Sequence, residues 1–258
     1  MLLCLDVGNS HIYGGIFEED NLTHQFRYPS KNHCTSDELG IFFKTYLREI
    51  DINPTKIRGV SCCSVVPSLD YSIRSVFIKY FALEPFILQA GVKTGLQIKY
   101  KNPTEVGTDR IANAIASTYQ FPQKNIIVVD VGTATNFEVI ASSGAFLGGI
   151  IIPGLQMQMR SLNENTANLP PVRIIKREHV LGQSTVTNIQ SGLYYGHRGA
   201  IKEIIQSINH EIFHTDPAMV IGTGGFAYLF ENDNLFHTII PDLVLQGLKI
   251  AYLKNAPT

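Results

Sequence analysis

The sequence predicts an α/β fold made of two related halves, and three observations carry that prediction. An apolar run ends in Asp-Val-Gly and a hydroxyl residue twice, in LLCLDVGNS (Leu2–Ser10) and in VVDVGTATNF (Val128–Phe137), about half the chain apart. Each turn is followed by a returning strand and then by alternating strand and helix patterns, as a duplicated unit would show. The chain has 258 residues, 45% hydrophobic and 17% charged, enough to bury one large core or two of ordinary size. A boundary at Gln120–Asn125, which holds Pro122, divides it into an N-terminal half over residues 1–121 and a C-terminal half over 122–258.

The opening reads as a strand over Leu2–Leu5, a polar turn over Asp6–Ser10 and a returning strand over Ile12–Phe17. Ser36 suits the N-cap of a helix running through Ile50, where Leu39, Phe42, Phe43, Tyr46 and Leu47 recur at helical spacing. A strand over Arg58–Val66, a helix over Leu69–Phe81 and extended segments over Pro85–Gln89 and Leu96–Tyr100 follow. Thr108–Tyr119 returns to helical spacing through Ile111, Ala112 and Ile115. The pattern restarts at Ile126 with a strand to Asp130, a turn through Thr135, and strands at Phe137–Ile140 and near Phe146–Ile152. Helices are expected at Leu155–Glu164, at Thr185–Ile208 with a break near Gly196, and at Asp242–Leu253. Met219–Ile221 leads into Gly222-Thr-Gly-Gly225, a third glycine-rich turn after a short strand.

Composition narrows the function. Lys and Arg total 21 against 22 Asp and Glu, without long blocks of either sign, so the basic stripe of a nucleic-acid binder is missing and a small ligand is the expected partner. No apolar stretch approaches the roughly 20 residues that span a bilayer, because Gly, Asp or Pro interrupts each run. The N-terminal run is broken by Asp6 and lacks the features of a signal peptide, which sets the expectation of a cytoplasmic protein. Cys4, Cys34, Cys62 and Cys63 form no C-x-x-C pair and are read as core residues, Cys62 and Cys63 on opposite faces of one strand. His210-Glu-Ile-Phe-His214 matches the H-E-x-x-H zinc-protease pattern. A helix with the apolar stripe Ile201, Ile205, Ile208 and Ile212 would turn both histidines to solvent and stop at Thr215-Asp216-Pro217, so zinc is not expected.

The repeated turn has a chemistry. An Asp ending a buried strand, then Gly, then Ser or Thr, supplies a carboxylate, closely approachable backbone amides and a hydroxyl, which together suit phosphates and a magnesium-bound water. The P-loop signature is absent and a strand follows each turn, so phosphate would sit between hairpin tips, with Gly222–Gly225 as a platform for the nucleoside. Asp-Gly and Asn-Ser are also plain turn formers, and the paired occurrence is what favours the phosphate reading. Asp109, in Gly107-Thr-Asp-Arg110 at the start of a helix, can accept the proton of a substrate hydroxyl or simply complement the helix dipole. Arg110 can orient an anionic substrate or pair with an acid, and Tyr100 can line a pocket or pack.

The ordered series Asp6-Val-Gly-Asn-Ser10, Val65-Val-Pro67, Gly107-Thr-Asp-Arg110, Asp130-Val-Gly-Thr-Ala-Thr135, Gly148-Gly-Ile-Ile-Ile-Pro-Gly154 and Thr166-Ala-Asn-Leu-Pro170 closely resembles the type III pantothenate kinases over nearly the whole chain. The resemblance implies an acetate and sugar kinase/Hsp70/actin fold, with two ribonuclease H-like halves and an interdomain cleft. It also implies ATP-dependent phosphorylation of pantothenate to 4′-phosphopantothenate, the first step toward coenzyme A, in a homodimer. By that resemblance Asp6, Val7, Gly8, Asn9, Ser10, His11, Ile12 and Tyr13 hold the ATP phosphates, and Thr133 also contacts ATP. Asp109 accepts the proton, while Tyr100, Gly107, Thr108, Asp109 and Arg110 hold pantothenate. Thr185 contacts pantothenate across the dimer interface, Asp130 holds a monovalent cation (K⁺ or NH₄⁺), and Mg²⁺ accompanies ATP.

The chain departs from the family pattern at Ser10, where Thr is usual, at Asn136 and Glu138, where Thr and Asp are common, and at Phe226, which replaces an Asp. Ser10 keeps a hydroxyl, whereas the other three bear on phosphate, cation and nucleotide preference. Rival readings are another kinase or a polyphosphate phosphatase of the same fold, and a regulatory protein that keeps the nucleotide cleft without turnover.

Overall fold

The computed structural model describes residues 1–30 and 34–256. In chain order the strands and helices are β1 (Leu2–Val7), β2 (His11–Glu18), β3 (Asn21–Pro29), α1 (Ser36–Glu49), β4 (Gly59–Ser64), α2 (Pro67–Phe81), β5 (Phe86–Ile87), β6 (Gln97–Ile98) and α3 (Thr108–Gln120). They continue as β7 (Ile126–Val131), β8 (Ala134–Ile140), β9 (Ala145–Pro153), α4 (Leu155–Glu164), α5 (Thr185–Ile212), β10 (Met219–Thr223), β11 (Thr238–Ile239) and α6 (Leu243–Asn255). These elements divide into two compact units, one formed by Met1–Gly95, Lys101–Ala116 and the chain from Leu243 on, the other by Leu96–Tyr100 and Ser117–Asp242.

The first unit holds a five-stranded sheet in the order β3-β2-β1-β4-β5, with β1–β2–β3 antiparallel and β4 and β5 parallel to β1. Side chains alternate across a strand, and both faces of β1 are used. Leu3, Leu5 and Val7 enter a core with Leu39, Phe43 and Leu47 of α1 and with Leu69, Ile73 and Phe77 of α2. Cys4 and Asp6 point the other way, toward the face on which α6 packs. There Ser61 Oγ donates to Leu248 O at 2.8 Å, and Gly247 brings α6 against the backbone of α3, where a Cβ would lie 1.9 Å from Ala112 O.

The second unit repeats the plan. Its sheet runs β11-β10-β7-β8-β9-β6, so an antiparallel β7–β8–β9 meander with parallel β10 and β11 beside β7 matches the first sheet strand for strand, and β6 is added at the edge. Ile127, Val129, Val131 and Phe137 build its core with Leu155 and Met159 of α4 and with Ile189, Leu193, Ile201 and Ile205 of α5. The duplication expected from the two Asp-Val-Gly turns is therefore present in the strand order.

The chain passes from the first unit to the second between Ala116 and Ser117, inside α3. Two stretches of chain depart from a split in sequence order. Leu96–Tyr100 adds β6 beside β9 in the second sheet, and α6 returns to the first unit, where Leu243, Leu245, Leu248 and Ala251 are buried.

Smaller differences have local causes. Thr35, not Ser36, caps α1, because Glu38 then stands at the position that closes a capping box: its carboxylate accepts from Thr35 N at 2.8 Å while Glu38 N donates to Thr35 Oγ1. Gly196 does not break α5, since the stripe from Ile189 through His197 to Ile208 stays buried across it and outweighs the glycine's cost of about 1 kcal/mol. His210 and His214 are exposed as expected, although Ile212 is 44% exposed and Phe213 takes its place in the core. Among the described residues, no three His, Cys, Asp or Glu side chains gather in a way that could hold a metal ion, and no helix is long and apolar enough to cross a membrane.

Candidate active site

In the first unit, β1 and β2 pair from Leu2 and Phe17 to Val7 and Ile12, leaving Gly8, Asn9, Ser10 and His11 as the tip. Gly8 N donates to His11 O at 3.1 Å, and Asn9, Ser10 and His11 are exposed. Below the tip, one row crosses the sheet on a single face: Arg27 on β3, Tyr13 on β2, Asp6 on β1 and Cys63 on β4 are consecutive register partners. The Arg27 guanidinium lies 4.3 Å from the Tyr13 ring centroid, and Cys63 Sγ donates to Asp6 Oδ1 at 3.3 Å. Burial, with the Asp6 and Asp109 carboxylates nearby, pushes the Cys63 thiol well up, so it stays a protonated donor rather than a nucleophile.

The end of β4 also fixes the second carboxylate. Ser64 N donates to Thr108 Oγ1 at 3.2 Å, and Thr108 Oγ1 donates to Ser64 O at 3.0 Å, tying the first turn of α3 to the strand that carries Cys63. Asp109 follows directly, its Oδ1 accepting from Arg110 N at 2.8 Å, while Gly107 passes so close that a Cβ there would lie 2.5 Å from that oxygen. Burial raises the Asp109 pKa, and the Arg110 amide and guanidinium oppose that rise. Adjacent β4 residues thus place both Asp6 and Asp109, the two chemically pointed carboxylates of the N-terminal half. Val65-Val-Pro67 serves this geometry: Val66 precedes α2, Pro67 opens it, and Ser64 Oγ donates to Asp70 Oδ1 at 2.6 Å.

The second unit carries the counterpart. Val131 and Thr135 pair across a shorter tip of Gly132, Thr133 and Ala134, with Gly132 N donating to Ala134 O at 3.0 Å. Asp130 is paired with Asn136 on β8 and with Thr223 on β10, as Asp6 is paired with Tyr13 and Cys63. Gly222 and Thr223 end β10 and Gly224-Gly225 follow, so the third glycine-rich turn adjoins the Asp130 turn, and Phe226 N donates to Val131 O at 3.0 Å. Gly224 has φ +88°, and a Cβ there would come 2.3 Å from Asp130 Oδ1 and 2.7 Å from Val131 N. Gly224→Ala should therefore displace Asp130, and we expect turnover to fall about a hundredfold while the fold survives, as measured by steady-state kinetics beside a thermal melt.

The remaining expected site residues also lie in this unit. Tyr100 packs its ring against Phe146, with centroids 6.4 Å apart, and Thr133 is exposed at its tip. Thr185 is the exposed first residue of α5, whose N-cap Ser184 and Thr187 form a reciprocal capping box. Glu138 is fully buried on the same face of β8 as Asn136, whereas Phe226 is partly buried against the core.

Sequence reading did not single out Cys63, Thr223 or the hydrogen-bonded trio Thr135, His197 and Gln158. Cys63 and Thr223 become visible only through strand register. The signal available for the trio was Thr135 itself, the last residue of the repeated motif.

A family model for type III pantothenate kinase matches residues 2–207. A type III pantothenate kinase of Legionella pneumophila (strain Corby) is 57% identical over 255 residues, covering 99% of both chains. The chain belongs to the type III pantothenate kinase family. A second relative, type III pantothenate kinase 1 of Francisella tularensis subsp. holarctica (strain OSU18), is 46% identical over 99% of this chain and 100% of its own. The kinase also superposes on a solved Sinorhizobium meliloti protein described as a 2-dehydro-3-deoxygalactonokinase, with a TM-score of 0.63 at 11% identity, covering 100% of this chain and 98% of that one. At that identity the likeness concerns the fold. Together with the repeated strand order, it places the kinase in the acetate and sugar kinase/Hsp70/actin class.

Proposed function

We propose that the chain transfers the γ-phosphoryl group of ATP to the primary hydroxyl of pantothenate, giving ADP and 4′-phosphopantothenate, the first step of coenzyme A biosynthesis. The observation that carries the reading is the pair Asp6 and Asp109, held through adjacent residues of β4 in a chain of this family.

The hairpin from Asp6 to Tyr13, with the exposed amides and Ser10 hydroxyl of its tip, receives the phosphates, and Thr133 makes a further ATP contact. Gly107, Thr108, Asp109, Arg110 and Tyr100 hold pantothenate. In the transfer, the bond from the γ-phosphorus to ADP breaks as a bond to the pantothenate oxygen forms, and the hydroxyl proton passes to the Asp109 carboxylate and then to solvent. A loose transition state lets that proton move late, so Asp109 acts by orienting the hydroxyl as well as by basicity. Its raised pKa makes it a better base than an ordinary carboxylate.

Asp6 would hold the water shell of the Mg²⁺ that accompanies ATP, which would offset charge on the phosphates. Asp130 fits a monovalent cation, K⁺ or NH₄⁺, because its Oδ1 lies in a cradle of Gly132 and Gly224 that any Cβ would fill. We assign Thr185 to pantothenate bound by a second copy of the chain, in a cytoplasmic homodimer; finding only monomer by light scattering would contradict that assignment.

The test is ADP release from ATP and Mg²⁺ with and without pantothenate, in potassium and in sodium buffer. Turnover that needs both pantothenate and potassium supports the substrate and the Asp130 assignment together. Turnover with pantothenate in either buffer contradicts the cation alone, and no pantothenate-dependent turnover contradicts the function.

A further inference from the structure

A polar chain runs from the core of the second unit, at Thr135 and His197, out to the half-buried Gln158, beside the Asp130–Thr135 turn. His197, on α5, is 1% exposed and stacks on Phe230 with ring centroids 5.9 Å apart. Its Nε2 lies 2.9 Å from Thr135 Oγ1 on β8, and its Nδ1 lies 2.9 Å from Gln158 Nε2 on α4. Gln158 Nε2 also donates to Pro153 O at 2.8 Å.

Those contacts fix the direction of every hydrogen bond. Pro153 O can only accept, so the Gln158 atom facing it is the NH₂ group, which has no acceptor capacity to offer a ring N–H. His197 Nδ1 must therefore accept, and the neutral ring carries its proton on Nε2, which donates to Thr135 Oγ1. Burial pushes the imidazole pKa down to about 4, which keeps it in that neutral form at physiological pH.

Apolar residues at the two buried positions, Thr135 and His197, would pack with no polar group to satisfy, so a connected polar pair there is the more demanding arrangement and specifies one geometry. What it specifies lies at its end. Thr135 is the first residue of β8 to pair with β7 after the Gly132-Thr133-Ala134 tip. The other side of the same tip is closed by Gly154, at the start of α4, where a Cβ would meet Thr133 O at 2.3 Å and Gly132 O at 2.4 Å. The tip is thus held from α4 and α5 together.

We propose that His197 is a positioning residue for the kinase reaction, its Nε2–H fixing Thr135 and through it the turn that presents Thr133 and Asp130 to ATP and its cation. The inference rests on the assignment of ATP to that turn. It predicts an effect confined to one substrate, even though α5 also begins with Thr185, assigned above to pantothenate. A generally loosened α5 would weaken both substrates, whereas a released turn weakens ATP.

The experiment is steady-state kinetics of the full chain with ATP and pantothenate varied in turn, for wild type, His197→Leu, His197→Gln, Thr135→Val and the double variant His197→Leu/Thr135→Val, each with a thermal melt. We expect His197→Leu to raise the ATP KM about tenfold or more with the pantothenate KM within about twofold. His197→Gln, whose side-chain amide can donate toward Thr135 and accept from Gln158, should recover most of the loss. The double variant should be no worse than His197→Leu, since both changes break the same link. Parallel losses on both substrates that follow the melting temperature, an unchanged ATP KM, or a Gln variant as poor as Leu would each overturn the proposal. If His197→Leu does not fold, Thr135→Val carries the test by the same split. If wild type shows no pantothenate-dependent turnover, the function has failed rather than this inference, and ATP affinity by calorimetry across the same variants decides it.

Discussion

Asp109→Asn should abolish useful turnover while leaving ATP binding intact and making the folded protein more stable at neutral pH. The loss expected for removing a positioned base is about 10²- to 10⁴-fold in kcat. Asn keeps the oxygen that accepts from Arg110 N, so the start of α3 and its tie to Ser64 are preserved. The gain in stability follows from the direction of the Asp109 shift. Its native pKa is raised by burial, so the folded state holds this proton more tightly than the unfolded chain does. As pH rises from the unfolded carboxylate value of about 3.9 through the raised native value, the fold loses stability, and above it the whole cost is present. Asn carries no charge and avoids that cost. The melting difference between variant and wild type should therefore favour Asn at pH 7 and vanish near pH 3. A variant with near-normal turnover would remove Asp109 from the mechanism, and a variant no more stable than wild type at pH 7 would contradict the burial argument.

Gly247→Ala should be the most damaging single methyl group in the first unit. The added carbon would sit 1.9 Å from Ala112 O and 2.5 Å from its carbonyl carbon, and both are backbone atoms of α3 that no rotamer change can move. Overpacking usually costs about 1–3 kcal/mol, and a backbone clash belongs at or above the top of that range. For a chain of this size, about 3 kcal/mol lowers Tm by roughly 6–12 °C. Because α3 begins with Thr108 and Asp109, a separation of α3 from α6 should lower kcat as well, even in molecules that remain folded. Denaturant unfolding and kinetics on one preparation check both effects, and an unchanged Tm would mean that the two helices do not meet as described.

Much of the fold was legible because its strongest signals are local. The Asp-Val-Gly turns end two buried strands, and residues such as Leu39, Phe43 and Leu47 show the helical period directly. β3 escaped notice because it is an edge strand whose polar side chains alternate with little burial, only Phe26 being fully enclosed. The return of α6 to the first unit could not be read from the sequence, since a helix buried along most of one side looks the same whichever sheet it covers. Thr35 lost to Ser36 in the reading because both are good caps, and the choice is made by the Glu38 carboxylate.

The site divides the same way. Asp6, Asp109 and Asp130 were legible because carboxylates at strand and helix ends have chemical meaning in any fold. Cys63 and Thr223 were not, for their importance comes from standing beside Asp6 and Asp130 in the parallel ladder, and register is a property of the sheet. His197 was hidden for a different reason. It occupies a core position in a run of buried residues on α5, where its spacing matches an apolar stripe and its partners lie 39 and 62 residues away.

The most direct test of the account is the identity of the product. ³¹P NMR of wild type with ATP, Mg²⁺ and pantothenate in potassium buffer should show a phosphomonoester of pantothenate appearing in step with ADP, and Asp109→Asn should show neither. ADP accompanied by free phosphate, or a phosphomonoester formed only on some other alcohol, would contradict it.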